Sequence, residues 1–267
     1  MSTSVFVQPS PLLELKNVTV VRNGNVALDG LSLTIPEGEN VAILGPNGSG
    51  KSTLIKLITR ECYPAFGIPG SALRIFGETA WSVFELRARL GIVSQNLLKM
   101  LDEEISGREV ILSGFFSSVG IWQCHKVTPA MEQRTQEILD RLEVAHLKDR
   151  LITEMSSGEA HRMLIGRALV HHPPTLLLDE PTNSLDPRAR RELTALLRKL
   201  IAEGTRIVMV THHLHDIVPE IDRVIMLRQG QVFQDGRKHE VLTPAHLSAL
   251  FGMQVEMQLR DDFYHLW

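Results

Sequence analysis

The chain has 267 residues, 43% of them hydrophobic and 22% charged, with a formal net charge of −3. That is enough apolar sequence for one large domain or a core with a subdomain, and the near-balanced charge gives no reason to expect nucleic acid as a partner. The two cysteines, Cys62 and Cys124, lack C-x-x-C spacing, which argues against a disulfide framework or a zinc site and fits a reducing compartment.

In chain order, the opening MSTSVFVQPSP has no basic segment followed by an apolar core of about 7–15 residues, so no secretory signal is expected. From Leu12 to Pro36 the β-type runs LELKNVTVV and ALDGLSLTI alternate with the turns Arg22-Asn23-Gly24-Asn25 and Pro36-Glu37-Gly38. This predicts an antiparallel strand set. The texture then changes to βα units, with strands expected at Glu39–Leu44, Arg89–Val93, Thr175–Leu178, Arg206–Val210 and Val224–Leu227. Helices between several of them predict a mostly parallel sheet covered on both faces.

The first of those strands runs into GPNGSGKST, that is Gly45, Pro46, Asn47, Gly48, Ser49, Gly50, Lys51, Ser52 and Thr53. Glycines there let the backbone turn sharply and approach a ligand, while the N–H groups of the turn and of the following helix start converge on an anion. The spacing G-x-x-x-x-G-K-[ST] fits a phosphate loop, with Lys51 reaching the β- and γ-phosphates and the Ser52 hydroxyl ligating Mg²⁺. The plain alternative is a glycine turn with a solvated lysine.

Strand signals vanish between Leu97 and Met155, where Glu132–Leu142 reads as an amphipathic helix. The stretch Val110–Gln123 falls short of the roughly 20 apolar residues of a membrane helix, so no direct membrane insertion is expected. Next comes TLLLDEPTNSLD, a buried-looking strand ending in adjacent acids. Neighbouring strand side chains point to opposite sides. Asp179 can hold Mg²⁺ through water, and Glu180 can orient or deprotonate an attacking water. An acidic pair that only caps the next helix is the competing reading. The basic stretch Arg188–Lys199 has a helical apolar pattern and reads as an ordinary solvated helix face. Beyond Gln234 the tail turns helix-like, then mixed polar and aromatic, with no readable role.

With these motifs in this order, the sequence from Leu12 to Gly236 resembles the ATP-binding cassette (ABC) ATPases. MSSGEAHRMLIGRAL, Met155–Leu169, is similar to the family's signature, with Ser156 and Gly158 kept, Ser157 in place of its first glycine and Glu159 in place of its glutamine. The resemblance implies that Gln95 touches Mg²⁺ and water, that Ser184-Leu185-Asp186 crosses to another subunit, and that His212 is the switch histidine at the γ-phosphate. A metal cluster of His212, His213, His215 and Asp216 is a competing reading of that run. Members usually place an aromatic side chain on adenine 23 residues before the first loop glycine; here that position is Arg22. A guanidinium plane can stack on a base as well, and ATP is expected over GTP.

The implied fold is an α/β P-loop NTPase with a mostly parallel core sheet, an N-terminal antiparallel β portion and an inserted helical subdomain. Residues 1–96 and 156–236 would form the core, 97–155 the helical subdomain and 237–267 a tail. The implied function is a Mg²⁺-dependent ATPase that closes head to tail around two ATP with a second copy of itself or a homologous cassette. It would power separate integral membrane subunits from the cytoplasmic face, with a compact importer-like build and a faint likeness to molybdate and metal uptake chains. Phe115, Phe116, Ile121 and Trp122 are expected either to line a docking groove for those subunits or to pack the subdomain core. A stand-alone cytosolic ABC ATPase acting on a soluble partner is the alternative. A regulator without turnover would need a damaged Lys51 or Glu180, and both are present.

Overall fold

A computed structural model describes residues 10–101 and 103–267, apart from the Gln95 side chain. Residues 1–9 of the opening segment, and the role expected of the Gln95 side chain, lie outside the described residues.

The two N-terminal runs form β1 (Leu13–Arg22) and β2 (Asn25–Ile35), an antiparallel hairpin whose turn residues Asn23 and Gly24 have φ of 48° and 78°. Both residue types tolerate that left-handed region, which is why the strands reverse there. Then come β3 (Val41–Leu44), α1 (Lys51–Ile58) and β4 (Ala72–Ile75). β4 adds to β1 antiparallel, making a sheet of order β2-β1-β4.

The remaining core elements are α2 (Val83–Arg89), β5 (Leu90–Ser94), α3 (Gln95–Met100), α4 (Gly107–Ser113), α5 (Pro129–Arg141), α6 (Ser157–Ala168), β6 (Thr175–Asp179), α7 (Pro187–Ala202), β7 (Arg206–Thr211), β8 (Arg223–Arg228) and β9 (Gln231–Arg237). The main sheet has the order β5-β6-β7-β3-β8-β9, parallel throughout except for the antiparallel β8–β9 hairpin. All five strands expected of the βα units are present, each within two residues of its expected ends.

Alternation along these strands decides what each face buries. Val41, Ile43, Leu177, Val208, Val210, Ile225 and Leu227 join α1 and the small antiparallel sheet in one core. Ala42, Leu44, Leu176, Leu178, Ile207, Met209, Val224 and Met226 face α7 and the helical region in the other. A parallel sheet covered on both faces has no room for a polar side, so its strands read as continuous apolar runs.

Among the helices, α4 packs against both α5 and α6. The tail folds as α8 (Lys238–Val241), α9 (Pro244–Phe251) and a hairpin of β10 (Met257–Arg260) and β11 (Phe263–Leu266). β11 packs on the turn Leu214–Asp216, burying Tyr264.

Candidate active site

β3 lies in the centre of the main sheet between β7 and β8, and its C-terminal end delivers Gly45. Across Gly45–Gly50 the chain makes a tight turn, with Ser49 N donating to Pro46 O at 3.2 Å and Gly50 at φ +106° capping α1. A Cβ on Gly50 would sit 2.8 Å from Ala27 O and 2.8 Å from Leu28 Cδ2. The loop is also clamped by the turn between β8 and β9: Gly230 N donates to Ser49 O at 3.0 Å, and Asp29 N to Gly230 O at 3.1 Å. Sequence reasoning missed that clamp; its one signal is the Gln229-Gly230 pair between two strand runs.

Because Gly50 has no side chain, α1 begins without a side-chain cap, and no acid stands in its first turn. Its leading N–H groups and partial positive charge are therefore suited to an anion. Lys51, only 5% exposed, folds back so that Nζ donates to Gly45 O at 2.7 Å and Pro46 O at 3.0 Å. Burial lowers its pKa, opposed by the charges of Glu180 and Asp179. Ser49 Oγ is buried with no hydrogen-bond partner among the described residues. These features fit a phosphate chain: a ring of donors, one buried cation and an unsatisfied hydroxyl.

β6, next but one to β3 in the sheet, ends at Asp179. Burial and then the neighbouring Glu180 push the Asp179 carboxyl up to about 6, against the pull of Lys51. A half-buried acid held so high is short of positive charge, and with the exposed Ser52 hydroxyl lining the same cleft it offers the hard oxygen donors that suit Mg²⁺. Glu180 sits in the left-handed region at φ +47°, its N–H donating to Val210 O at 2.8 Å. Its carboxylate meets His212 Nδ1 at 3.0 Å and Asn183 Nδ2 at 3.4 Å. The structure thus brings Glu180 and His212 into contact from strands β6 and β7, a pairing absent from the sequence reading.

Asn47, Ser52, Ser94, Asp179 and Glu180 line one cleft of about 910 Å³ that continues to Arg87, Arg167 and His171 on the helical side. Arg167 is buried, with its Nε on Ser113 Oγ at 3.1 Å, and burial next to Arg87 lowers it to about 10. Of the four aromatic-stretch residues, Phe115 packs against the main core, Phe116 stacks on His125 at 4.2 Å, Ile121 is half-buried and Trp122 is 52% exposed.

Ser156, Ser157, Gly158 and Glu159 are elsewhere; none lines that cleft. Ser156 caps α6 in a reciprocal box, its Oγ accepting from Glu159 N at 3.3 Å while Glu159 Oε2 accepts from Ser156 N at 2.7 Å. The Ser156 N–H is the main reason the Glu159 carboxyl is held below its ordinary value. Ser156 and Ser157 are exposed. Gly158 lies where a Cβ would come within 2.9 Å of Ala189 Cβ, so α6 and α7 start side by side. Asp186 caps α7, accepting from Arg188 N at 2.8 Å and Ala189 N at 2.9 Å. Arg22 is exposed at the end of β1, close enough for its charge to act on Cys62, whose Sγ reaches Thr53 O at 3.7 Å. Gln95 opens α3 directly after β5.

In the run after β7, the rings of His213 and His215 stack at 5.0 Å and Asp216 is taken up by two threonine hydroxyls. Among the described residues, no group of three or more His, Cys, Asp or Glu side chains is arranged to hold a metal ion.

Residues 28–183 match the family model of the ABC transporter. An uncharacterized ABC transporter ATP-binding protein of Bacillus subtilis, YlmA, is 34% identical over 94% of this chain and 95% of its own length. The phosphonates import ATP-binding protein PhnC 2 of Synechococcus sp. is 32% identical over 86% of each chain. The dimeric structure of the ATP-binding cassette MJ0796 in a post-hydrolysis state, bound to ADP and Pi, is similar with a TM-score of 0.68 at 29% identity, covering 84% of this chain and 98% of that one.

Proposed function

The chain belongs to the ABC transporter family as an ATP-binding subunit, and from that premise we propose that two copies, or one copy and a homologous cassette, close head to tail around two ATP and drive separate membrane-spanning subunits. The observation that carries this reading is the split of the site. Gly45–Thr53, Asp179, Glu180 and His212 gather at one end of the sheet, whereas the Ser156–Glu159 turn, with Ser156 and Ser157 exposed, lies outside the cleft that Asp179 and Glu180 line. A γ-phosphate gripped by both needs the second set from another molecule.

In this arrangement the N–H groups of Gly48–Thr53 and the Lys51 ammonium hold the β- and γ-phosphates, replacing the carbonyl contacts that Lys51 makes to Gly45 and Pro46. Ser52 and Asp179, with Gln95, would hold Mg²⁺, which would supply charge neutralisation to the phosphate chain. Glu180 takes the proton of the attacking water, and His212, 3.0 Å from its carboxylate, fixes that carboxylate and senses the γ-phosphate. Ser156, Ser157, Gly158 and Glu159 of the opposing copy close over the same phosphate, with Asp186 and its loop at the joint. Arg22 lays its guanidinium on the adenine.

Residues 97–155 act as the helical subdomain on a core of 1–96 and 156–236, and the cleft between them takes a segment of the membrane subunit. No helix among the described residues is long and apolar enough to cross a membrane. In this reading attachment runs through those subunits on the cytoplasmic face. The likeness to a protein named for phosphonates import supports the transport reading.

The test is capture of tagged Glu180→Gln from detergent-solubilised native membranes with ATP present. A polytopic membrane protein recovered at near 1:1 supports the transporter motor. Recovery of soluble proteins alone overturns it in favour of a stand-alone ATPase.

A further inference from the structure

Asp216 is a carboxylate 2% exposed to solvent, in the turn that follows His212. Its Oδ1 accepts from Thr182 Oγ1 at 2.6 Å and its Oδ2 from Thr211 Oγ1 at 2.6 Å. His215 Nε2 stands 3.3 Å from Oδ1. Thr182 lies two residues beyond Glu180, and Thr211 immediately precedes His212. One buried side chain therefore ties together the two segments that carry the reacting pair. Thr211 Oγ1 also accepts from His213 N at 3.0 Å, which fixes the backbone on the other side of His212.

The segment beyond β6 needs such a tie. Glu180 at φ +47° and Ser184 at φ +66° both occupy the left-handed region, although each carries a Cβ. A backbone of that kind persists only where its surroundings over-determine it. Besides the Asp216 bridge, two contacts hold Glu180 to β7 and its turn: Glu180 N to Val210 O at 2.8 Å, and the His212 ring to the carboxylate at 3.0 Å. The turn Leu214–Asp216 is itself held from outside by β11 and the buried Tyr264, so Asp216 cannot swing outward. Each oxygen of the carboxylate takes one threonine hydroxyl, so both chain segments are pinned to the same buried side chain.

We propose that Asp216 is a positioning residue for hydrolysis: by holding Thr182 and Thr211 on one carboxylate, it sets the strained backbone at Glu180 and thereby the 3.0 Å register of Glu180 on His212. This rests on the reading of Glu180 and His212 as the hydrolytic groups. Thr211 pairs with Leu44 at the foot of the phosphate loop, but the side chains of Asp216, Thr182 and Thr211 bond to one another and not to Gly45–Thr53, so loss of the tie lowers turnover and leaves ATP binding in place.

The experiment uses the full chain with Asp216→Asn, Thr182→Val and Thr211→Val, beside the hydroxyl-keeping Thr182→Ser and Thr211→Ser. For Asp216→Asn and the valine variants, kcat for ATP falls about 10²-fold with KM changed less than about twofold, the cost expected of a catalytic group displaced by about 1 Å. The serine variants restore turnover. A crystal structure of Asp216→Asn shows Glu180 out of the left-handed region or parted from His212. Folded variants that turn over ATP at the wild-type rate, a loss carried by KM, or a crystal structure with Glu180 and His212 unmoved would each overturn the proposal. Should the wild-type chain hydrolyse no ATP, the hydrolytic reading fails, and the crystal structure still decides whether Asp216 sets Glu180.

Discussion

Two glycines of the phosphate loop separate backbone strain from steric exclusion. Gly48 and Gly50 both have positive φ, +79° and +106°, but a Cβ on Gly48 would meet nothing within 4 Å, whereas one on Gly50 would be 2.8 Å from Ala27 O and Leu28 Cδ2. Alanine at Gly48 therefore pays only for a left-handed backbone, about 1–3 kcal/mol. Alanine at Gly50 adds overpacking against β2, another ~1–3 kcal/mol. The second variant should be less stable than the first by roughly 1–3 kcal/mol, which for a chain of this size is on the order of 2–12 °C in melting temperature. Thermal unfolding of both variants by circular dichroism, with urea denaturation as a second measure, tests the difference. Equal melting temperatures would refute the close approach of the loop to Ala27 and Leu28. Gly50→Ala also forces α1 off its clamp, so its ATP affinity should fall below that of Gly48→Ala in equilibrium titration.

Glu180→Gln keeps an oxygen for His212 Nδ1 and removes the carboxylate proposed to accept the water's proton, so phosphate release at saturating ATP should drop about 10²–10⁴-fold. Light scattering should then find an ATP-held dimer; wild-type turnover, or a monomer with ATP, would remove Glu180 from its role. Asp186→Ala deletes the cap of α7 and should cost about 0.5–2 kcal/mol in urea unfolding, while Asp186→Asn recovers most of it. Burial lowers the pKa of His161 and His171, so the folded chain binds fewer protons there than the unfolded chain. The resulting stability is present above the ordinary histidine pKa of about 6.5 and is lost as pH falls through the lowered values. Melting at mildly acid pH should come at a lower temperature than near pH 8, and His161→Gln, which can still donate to Ser157 O, should narrow that gap.

Much of this protein was legible without coordinates because its core signals are local. A strand in a covered parallel sheet must be apolar on both sides, so VAIL, TLLLD and RIVMVT announce themselves. GPNGSGKST is legible because left-handed turns and close approach demand glycine at particular places, and the anion-binding lysine and hydroxyl follow at fixed offsets. β4, with four residues, and the hairpin β10–β11 were not legible: each is too short to show a period, and each is defined by the partner that it adds to.

The signature turn shows the boundary. Its sequence resembles the family signature, and the structure makes it a capping box at Ser156 and Glu159. That the box lies outside the cleft of Asp179 and Glu180, and that Gly158 is there to let α6 meet α7 at Ala189, follow only from packing. By itself the sequence determined which short stretches carry the backbone freedom, charge and hydroxyls that a phosphate site calls for, because these reside in residue type and local spacing. Tertiary structure alone decided that Glu180 meets His212, that Asp216 joins Thr182 to Thr211 and that Gly230 braces Ser49, because each contact spans segments whose distance in space is set by strand order and not by distance along the chain.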